Sequence, residues 1–303
     1  MLLITHDQGV VNYLCDREIS LAHEQQGSKV INANKRIVEI DSEIILSVRN
    51  LGFVHRFGGL INKAGAHIQR ITFSIRRGEC IGIIGESGSG KSTLAHMLVG
   101  LLHPIEGMLD LHGKIIDFSQ RKDIRSLREK VQLVMQDGRG SLHPSMTIRT
   151  LLQEIVDNQL ESRTGGNVNL IDALAEVGLG ADILDRVPGN LSGGECLRLN
   201  IARTLLMKSE VLICDESTSA LDATTTSGII NLLKLLMKER GLSLILISHD
   251  SELIMELADK ILIFDQGMIV EEAKPIDLPA KAEHAATKRI FTAQATLSQK
   301  LSH

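Results

Sequence analysis

Residues Glu79 to Leu102 read Glu-Cys-Ile-Gly-Ile-Ile-Gly-Glu-Ser-Gly-Ser-Gly-Lys-Ser-Thr-Leu-Ala-His-Met-Leu-Val-Gly-Leu-Leu, and this stretch decides the fold. It begins with an apolar run, Cys80 to Ile84, of the length that a buried parallel strand needs. It ends with leucine and methionine side chains at helical spacing. Between them, the pattern Gly85-x-x-x-x-Gly90-Lys91-Ser92 predicts a phosphate-binding loop, because strand, loop and helix follow in the order that the motif requires.

The chemistry of such a loop follows from its residue types. Glycines let consecutive backbone N–H groups converge on a phosphate, and the helix N-terminus adds the positive end of its dipole. We expect Lys91 to reach the β- and γ-phosphates and the Ser92 hydroxyl to ligate Mg²⁺. A glycine-rich turn ahead of a helix is the alternative. The residues expected to contact nucleotide here are Gly85, Glu86, Ser87, Gly88, Ser89, Gly90, Lys91, Ser92 and Thr93.

The composition is that of an ordinary globular protein. Of 303 residues, 43% are hydrophobic and 23% charged, which suits one large or two small domains. The formal net charge of −4 does not favour nucleic-acid binding, which is typical of basic domains. No apolar run approaches the roughly 18 residues of a membrane span, and no basic segment at the N-terminus resembles a signal peptide. We therefore expect a protein of the cytosol, or one docked from the cytosol onto another component.

The four cysteines have no paired spacing. They are Cys15, Cys80, Cys196 and Cys214. Two of them lie inside apolar strands, so we expect buried free thiols in a reducing compartment rather than disulfides or a metal site.

Several segments around the phosphate loop predict further elements. Ile44 to Arg49 and Ile71 to Ile75 predict two strands of a small antiparallel sheet, which Leu109 to Phe118 could extend. Arg121 to Lys130 predicts a solvated helix. Val131 to Asp137 predicts a buried strand that carries Gln136 at its end. That glutamine either caps a turn or coordinates Mg²⁺ and the attacking water.

A helical lobe and a second glycine motif follow. Met146 to Leu191 has mainly helical spacing, interrupted by glycine and proline pairs. Ser192-Gly193-Gly194 then precedes a helix, which makes a second possible anion site. Ser192 and Glu195 also fit a capping box, and local sequence alone favours this cap.

Carboxylates and a histidine follow two more apolar strands. Val211 to Glu216 delivers Asp215 and Glu216 at a strand end, where ligands of open α/β sheets bind. Asp215 fits a water-mediated Mg²⁺ contact, and Glu216 could orient and deprotonate the attacking water. Asp222 fits either this site or a helix cap. His249 follows the strand from Leu242 to Ile247 and is a candidate sensor of the γ-phosphate.

In this order, the segments resemble the nucleotide-binding domain of ATP-binding-cassette (ABC) ATPases, from about Ile44 to Glu272. Lys91 and its loop resemble the Walker A motif, Gln136 the Q-loop, Ser192-Gly193-Gly194 the family signature, Asp215 and Glu216 Walker B, Asp222 the D-loop and His249 the switch histidine. The resemblance overrides the local preference for a simple cap. It implies that Ser192, Gly193, Gly194 and Asp222 act on nucleotide bound to a second cassette, with Glu216, His249 and Gln136 catalytic and Ser92, Gln136 and Asp215 around Mg²⁺.

Within the family, the motifs are most similar to those of oligopeptide, dipeptide and nickel importer ATPases. The chain departs from that pattern at Glu195, at Ser217 and at Gly138, where the family usually has glutamine, proline and proline. None of these changes removes a group from the chemistry, although the loop changes could weaken coupling to a permease. The aromatic residue that stacks on adenine is Phe57, His55 or Phe53, and we favour Phe57.

The resemblance implies a fold and a function. We expect an α/β P-loop cassette with a mostly parallel core sheet, an antiparallel β subdomain and a helical subdomain at about residues 140–195. We expect a peripheral, ATP- and Mg²⁺-dependent ATPase on the cytoplasmic face of the membrane. It would pair with a second cassette and with membrane permeases, without nucleic acid, and energise import of peptides, nickel or a metal chelate. The alternative is a soluble ABC ATPase that acts on ribosomes or DNA.

The N-terminus resembles the tail of a preceding cassette. Leu2 to Asp7 matches Ile245 to Asp250 at an offset of 243 positions, which suits one cassette plus a linker. We therefore expect residues 1–40 to be a poorly ordered remnant in which His6 is not catalytic. Residues 41–274 would be the ATPase domain, and residues 275–303 a C-terminal tail with helical structure.

Overall fold

The computed structural model describes residues 43–54, 56–57, 60–61, 67–135, 138–160, 169–217, 221–278 and 280–292. In chain order the strands are β1 (Ile44–Val54), β2 (Arg56–Phe57), β3 (Leu60–Ile61), β4 (His67–Arg76), β5 (Cys80–Gly85), β6 (Glu106–Leu111), β7 (Lys114–Ile115), β8 (Val131–Val134), β9 (Val211–Asp215), β10 (Ser243–Ile247), β11 (Lys260–Asp265) and β12 (Met268–Ala273). The helices are α1 (Lys91–Leu98), α2 (Arg121–Lys130), α3 (Ile148–Leu160), α4 (Leu170–Glu176), α5 (Gly193–Leu206), α6 (Ala223–Arg240), α7 (Ser251–Leu257) and α8 (residues 285–292). The expected remnant at residues 1–40 lies outside the described residues.

The core is a six-stranded sheet in the order β12-β11-β5-β10-β9-β8. Its strands are parallel except for β12, which pairs with β11 in an antiparallel hairpin. Strands β5, β9 and β10 are buried along their whole length, because both faces of the sheet are covered. This explains why their sequences are continuous apolar runs rather than alternating ones.

Successive residues of the core strands point into two different cores, as the pleat requires. In β5, Ile81 and Ile83 join the core beneath α1 and the antiparallel sheet, whereas Cys80 and Ile84 join the core beneath α5, α6 and α7. The other core strands alternate in the same way. The sheet that carries the phosphate loop is thus packed between two layers.

The first layer is the antiparallel sheet β4-β1-β6-β7 together with α1. The second contains the helical lobe, in which α3 and α4 pack against α5 and a short 3₁₀ turn packs against α3 and α4. Among the described residues, no helix is both long and apolar enough to cross a bilayer. The predicted fold class, an α/β cassette with added β and helical parts, is confirmed.

One sequence expectation differs from the structure in detail, and another agrees with it. The strand expected over Val131 to Asp137 ends at Val134, and Gln132 and Leu133 are only half-buried because β8 is the edge of the sheet. Cys80, Cys196 and Cys214 are free and buried, and burial raises the pKa of the Cys214 thiol to about 12.

Candidate active site

The carboxyl ends of three parallel strands meet at one edge of the core sheet. In the register of β10 with its neighbours, Ile247 lies beside Ile83 of β5 and beside Asp215 of β9. The phosphate loop leaves β5 at this edge, Glu216 follows β9, and His249 follows β10. The topology therefore brings together groups that are far apart in the sequence.

The backbone of the phosphate loop adopts conformations that favour glycine. Gly88 and Gly90 have φ angles of 78° and 108°, in the left-handed region. At Gly85 the limit is space, because an added Cβ would lie 2.2 Å from the carbonyl oxygen of Phe264. The spacing of the glycines is thus required by the path of the chain.

Lys91 is buried at the start of α1 and lies over the loop. Its Nζ donates to the carbonyl oxygens of Gly85 at 2.8 Å and Glu86 at 2.9 Å. Burial lowers the pKa of Lys91, and the carboxylates of Glu216 and Asp215 oppose that shift. The ammonium group is therefore held among loop carbonyls, with two carboxylates near it.

Asp215 is buried at the end of β9, and its Oδ1 has no hydrogen-bond partner among the described residues. Burial raises the pKa of this carboxyl, while a hydrogen bond with the side chain of Ser92 lowers it. A buried oxygen without a partner is costly. The Ser92 hydroxyl and this carboxylate fit a hard cation such as Mg²⁺, which prefers oxygen ligands and keeps several waters. The described residues contain no cluster of three or more His, Cys, Asp or Glu for a metal held by protein alone.

Glu216 has an unusual backbone conformation for a residue other than glycine, with φ at 49°. Its N–H donates to the carbonyl oxygen of Ile247 at 2.8 Å, which ties the turn after β9 to the end of β10. Its Oε1 lies 3.8 Å from Nδ1 of His249, whose side chain is 66% exposed. The turn thus directs the carboxylate toward the histidine and away from the core.

The Ser192–Gly194 motif opens α5 and forms the capping box that local sequence predicted. The N–H of Glu195 donates to Oγ of Ser192 at 3.2 Å, and the N–H of Ser192 donates to Oε2 of Glu195 at 2.7 Å. The hydrogen bonds from Ser192 lower the pKa of Glu195. The cap and a role in anion binding are compatible, because the cap uses side-chain oxygens and leaves the first helical N–H groups pointing outward.

The start of α5 packs directly on the start of α6. A Cβ at Gly194 would lie 2.5 Å from Cγ2 of Thr225, so any larger residue there would have to displace the Thr225 side chain. Asp222 caps α6 by accepting from the N–H and the hydroxyl of Thr225 at 2.9 and 2.7 Å, and these bonds lower its pKa. Among the described residues, the hydrogen bonds of Ser192 run to Glu195 and Cys196, and none joins it to the phosphate loop.

Sequence reasoning missed the contacts that brace the phosphate loop from the far end of the chain. The N–H of Gly267, in the β11–β12 turn, donates to the carbonyl oxygen of Ser89 at 2.9 Å. Arg289 of α8 pairs with Glu86 at 3.3 Å and with Asp265 at 3.6 Å. No local pattern could reveal these contacts, because they depend on the sheet order.

Other candidate residues lie outside the described part of the chain. These are Gln136 and His55, and of Phe57 only the backbone strand is described. The side chain of Phe53, the remaining candidate for adenine stacking, is partly buried against the core beneath α1.

Comparison with known proteins gives consistent matches. A family model described as "ABC transporter" matches residues 68–219. The "Oligopeptide transport ATP-binding protein OppF" of Haemophilus influenzae is 34% identical over 228 residues, which are 75% of this chain and 69% of that protein.

Two solved structures also match most of the chain. One is cbiO1 from Clostridium perfringens, part of the ABC transporter complex cbiONQ. It is 28% identical with a TM-score of 0.65, and the match covers 79% of this chain and 92% of that one. The other is the ATP-binding cassette MJ0796, a dimer in a post-hydrolysis state bound to ADP and Pi. It is 25% identical with a TM-score of 0.66, and the match covers 76% and 99% of the two chains.

Proposed function

The chain belongs to the ABC transporter family of ATP-binding cassettes, and from that premise we propose that it is the ATP-hydrolysing subunit that energises a peptide importer. The observation that carries the proposal is the meeting of Lys91, at the end of the phosphate loop, with Asp215 and Glu216 at one edge of the core sheet. We infer peptides as the transported substrate from the similarity to the oligopeptide transport protein of Haemophilus influenzae.

In this proposal the phosphate loop holds the β- and γ-phosphates of ATP. Backbone N–H groups of residues 85–93 donate to the phosphate oxygens, and Lys91 turns its ammonium from the loop carbonyls to the phosphates. Ser92, Asp215 and Gln136 hold Mg²⁺, whose positive charge offsets the charge that develops on the transferred phosphoryl group. The buried Oδ1 of Asp215, which has no hydrogen-bond partner among the described residues, supports this assignment.

Glu216 is the proposed general base. It lies beside the phosphate loop with its carboxylate directed outward, so it can accept a proton from a water aligned with the γ-phosphate. His249 and Gln136 orient that water and report the presence of the γ-phosphate. The 3.8 Å separation of Glu216 and His249 leaves room for this alignment to tighten when ATP binds.

The Ser192–Gly194 motif and Asp222 act in the same proposal on nucleotide held by a partner cassette. Support comes from their position at the start of α5 and α6, from the absence of a described hydrogen bond to their own phosphate loop, and from the similar cassette that is dimeric. Permease subunits at the cytoplasmic face of the membrane complete the proposed assembly, and Phe57 is the proposed adenine contact.

The test is the pair Glu216→Gln and Lys91→Ala in an ATPase assay with parallel measurement of ATP binding. Glu216→Gln keeps the shape and removes the base, so we expect turnover to fall by about 10²-fold or more while ATP stays bound. Lys91→Ala should lose binding as well.

Parental turnover in Glu216→Gln would show that another group is the base. Co-purification of the parental protein with ribosomes, rather than with membrane permeases, would contradict the importer role even if the ATPase assay is positive.

A further inference from the structure

Asn200 lies in the middle of α5 and is only 5% exposed. Its Nδ2 donates to the carbonyl oxygens of Gly138 and Cys196, both at 3.0 Å. Its Oδ1 accepts from Nη1 of Arg203 at 3.0 Å and lies 3.2 Å from Oγ of Ser141. The amide group therefore donates to two backbone carbonyl oxygens and accepts from the guanidinium of Arg203.

The surroundings of Asn200 determine which way the amide faces. A flipped amide would place its oxygen against two carbonyl oxygens and its NH₂ group against the guanidinium of Arg203. Each of these contacts would be repulsive. The donor is thus directed at Gly138, and this bond joins α5 to a segment 62 positions earlier in the chain.

Gly138 begins the turn that leads from β8 into the helical lobe. Its carbonyl oxygen also accepts from the hydroxyl of Ser141 at 2.8 Å. A glycine contributes no side chain to hold such a turn, and its backbone is the freest of any residue. An added Cβ would lie 3.2 Å from Nδ2 of Asn200, so the amide occupies the place that a side chain would take. The Asn200 amide therefore holds this turn to α5, beside a second contact in which Nη2 of Arg139 donates to the carbonyl oxygen of Leu191.

We propose that Asn200 is a positioning residue that fastens the turn at residues 138–142 to α5, so that the turn and the Ser192–Gly194 motif move as one body during ATP turnover. The motif lies eight residues, about 12 Å, before Asn200 on the same helix. In sequence, Gln136 comes two positions before Gly138. Asn200 itself contacts neither nucleotide nor Mg²⁺. The proposal rests on the proposed ATPase function.

Asn200→Asp keeps the hydrogen-bond acceptor of the side chain and removes its donor. The new carboxylate still accepts from Arg203, but it presents an acceptor where Nδ2 donated to Gly138. We expect kcat for ATP hydrolysis to fall about five- to tenfold, which is what the loss of one buried hydrogen bond amounts to in a rate. KM for ATP should change less than about twofold, because residues 85–93 are untouched. Asn200→Ala should show the same split between kcat and KM.

The matched control is Thr204→Val, one turn further along α5. The Thr204 hydroxyl is buried and donates to the carbonyl oxygen of Asn200 at 3.0 Å, within the helix and without a link to the turn. We expect this variant to lower the melting temperature less than Asn200→Ala does, because it loses a single bond, and to leave kcat unchanged. A purely structural role for Asn200 would instead make kcat fall with the melting temperature in both variants.

A second variant tests the same bond from the other side. Gly138→Ala presses a methyl group on the Asn200 amide, so it should reproduce the fall in kcat. Combined with Asn200→Ala it should add nothing further, because both changes break one contact. If Asn200→Ala does not fold, kcat of Gly138→Ala tests the same contact.

Hydrogen exchange gives a readout that does not depend on activity. Amides of residues 138–142 should exchange faster in Asn200→Asp than in the parental protein, whereas those of Thr204→Val should not. Unchanged kcat and unchanged exchange in Asn200→Asp would overturn the proposal. A parental protein without ATPase activity would instead refute the proposed function. The hydrogen-exchange result would then still show whether Asn200 holds the turn at residues 138–142.

Discussion

Gly85 ends β5 in a position with almost no room for a side chain. An added Cβ would lie 2.2 Å from the backbone oxygen of Phe264 and 2.9 Å from Oγ of Ser89. Because the nearer atom belongs to the backbone of β11, the sheet itself must shift. We expect Gly85→Ala to destabilise the protein by about 1–3 kcal/mol and to weaken ATP binding. Thermal unfolding and nucleotide titration of the variant test this.

Gly189 supplies the control for that substitution. No atom lies within 4 Å of a Cβ added there, and its φ is not in the left-handed region. Gly189→Ala should therefore leave both stability and ATP binding as they are. Equal behaviour of the two variants would show that the close approach at Gly85 is relieved at little cost.

Residues close together in the sequence were the predictable part of the site. The phosphate loop could be anticipated because its strand, glycines, lysine and helix lie in one stretch, Glu79 to Leu102. The positive φ of Glu216 could not, because nothing in a sequence marks a glutamate that must adopt a conformation typical of glycine. The hydrogen bond from Asn200 to Gly138 could not be predicted either, since it depends on how α5 packs. The catalytic roles themselves stay predictions.

At the level of elements, a charged cluster joins the antiparallel sheet to the core sheet at the edge opposite the phosphate loop. Glu210, just before β9, accepts from Nη2 of Arg77 at 3.2 Å, lies 2.8 Å from Nε2 of His112, and pairs with Lys130. Burial alone would raise the pKa of Glu210, but Lys130, His112 and Arg77 outweigh it and hold the pKa below its ordinary value.

The sign of the resulting pH dependence follows from linkage. A carboxylate whose pKa is lower in the folded state stabilises that state fully above its unfolded pKa of about 4.3. The contribution is lost as the pH falls through the folded pKa. We expect Glu210→Gln to lower the free energy of unfolding by about 1–3 kcal/mol at pH 7 and to flatten the acid side of the curve.

Melting curves between pH 7 and pH 3 measure this effect, with Glu129→Gln as the control. Glu129 pairs with Arg125 on the surface of α2, where both side chains are largely exposed and solvent screens the pair. Glu129→Gln should change the melting temperature little at any pH. Parallel acid-unfolding curves for the parental protein and Glu210→Gln would show that the cluster does not hold the two sheets together.

At the level of whole elements, sequence predicted well where both faces of a strand are buried. Strands β5, β9 and β10 are continuous apolar runs, and their short length and β-branched residues distinguish them from buried helices. At the edge of the sheet the signal weakened, and β8 proved shorter than Val131 to Asp137 because its outer side lacks a neighbouring strand. Sequence patterns report burial, and burial is incomplete at an edge.

For the molecule as a whole, we expect an ATP-dependent dimer with two-fold symmetry, built from two copies or from this chain and a companion cassette. Because ATP would bridge the two partners, binding without hydrolysis should favour association. Sedimentation of Glu216→Gln with ATP, alone or mixed with a companion cassette, should show a species with the mass of two cassettes.

The double variant Lys91→Ala/Glu216→Gln should stay monomeric under the same conditions, since it lacks the lysine that anchors the phosphates. A Glu216→Gln protein that sediments as a monomer with ATP, both alone and with a companion cassette, would contradict the shared site.

The position of β5 in the core sheet has a consequence for synthesis of the protein. Translation produces β5 well before its two neighbours in the sheet, β10 and β11, which leave the ribosome only after the whole helical lobe. At ~5–20 residues per second, the apolar strand waits on the order of 10–30 seconds for a partner. During that interval a nascent chain carries an unpaired, aggregation-prone segment and cannot yet use ATP as a template for folding. Demand for a chaperone should therefore be greatest between the emergence of β5 and the emergence of β11.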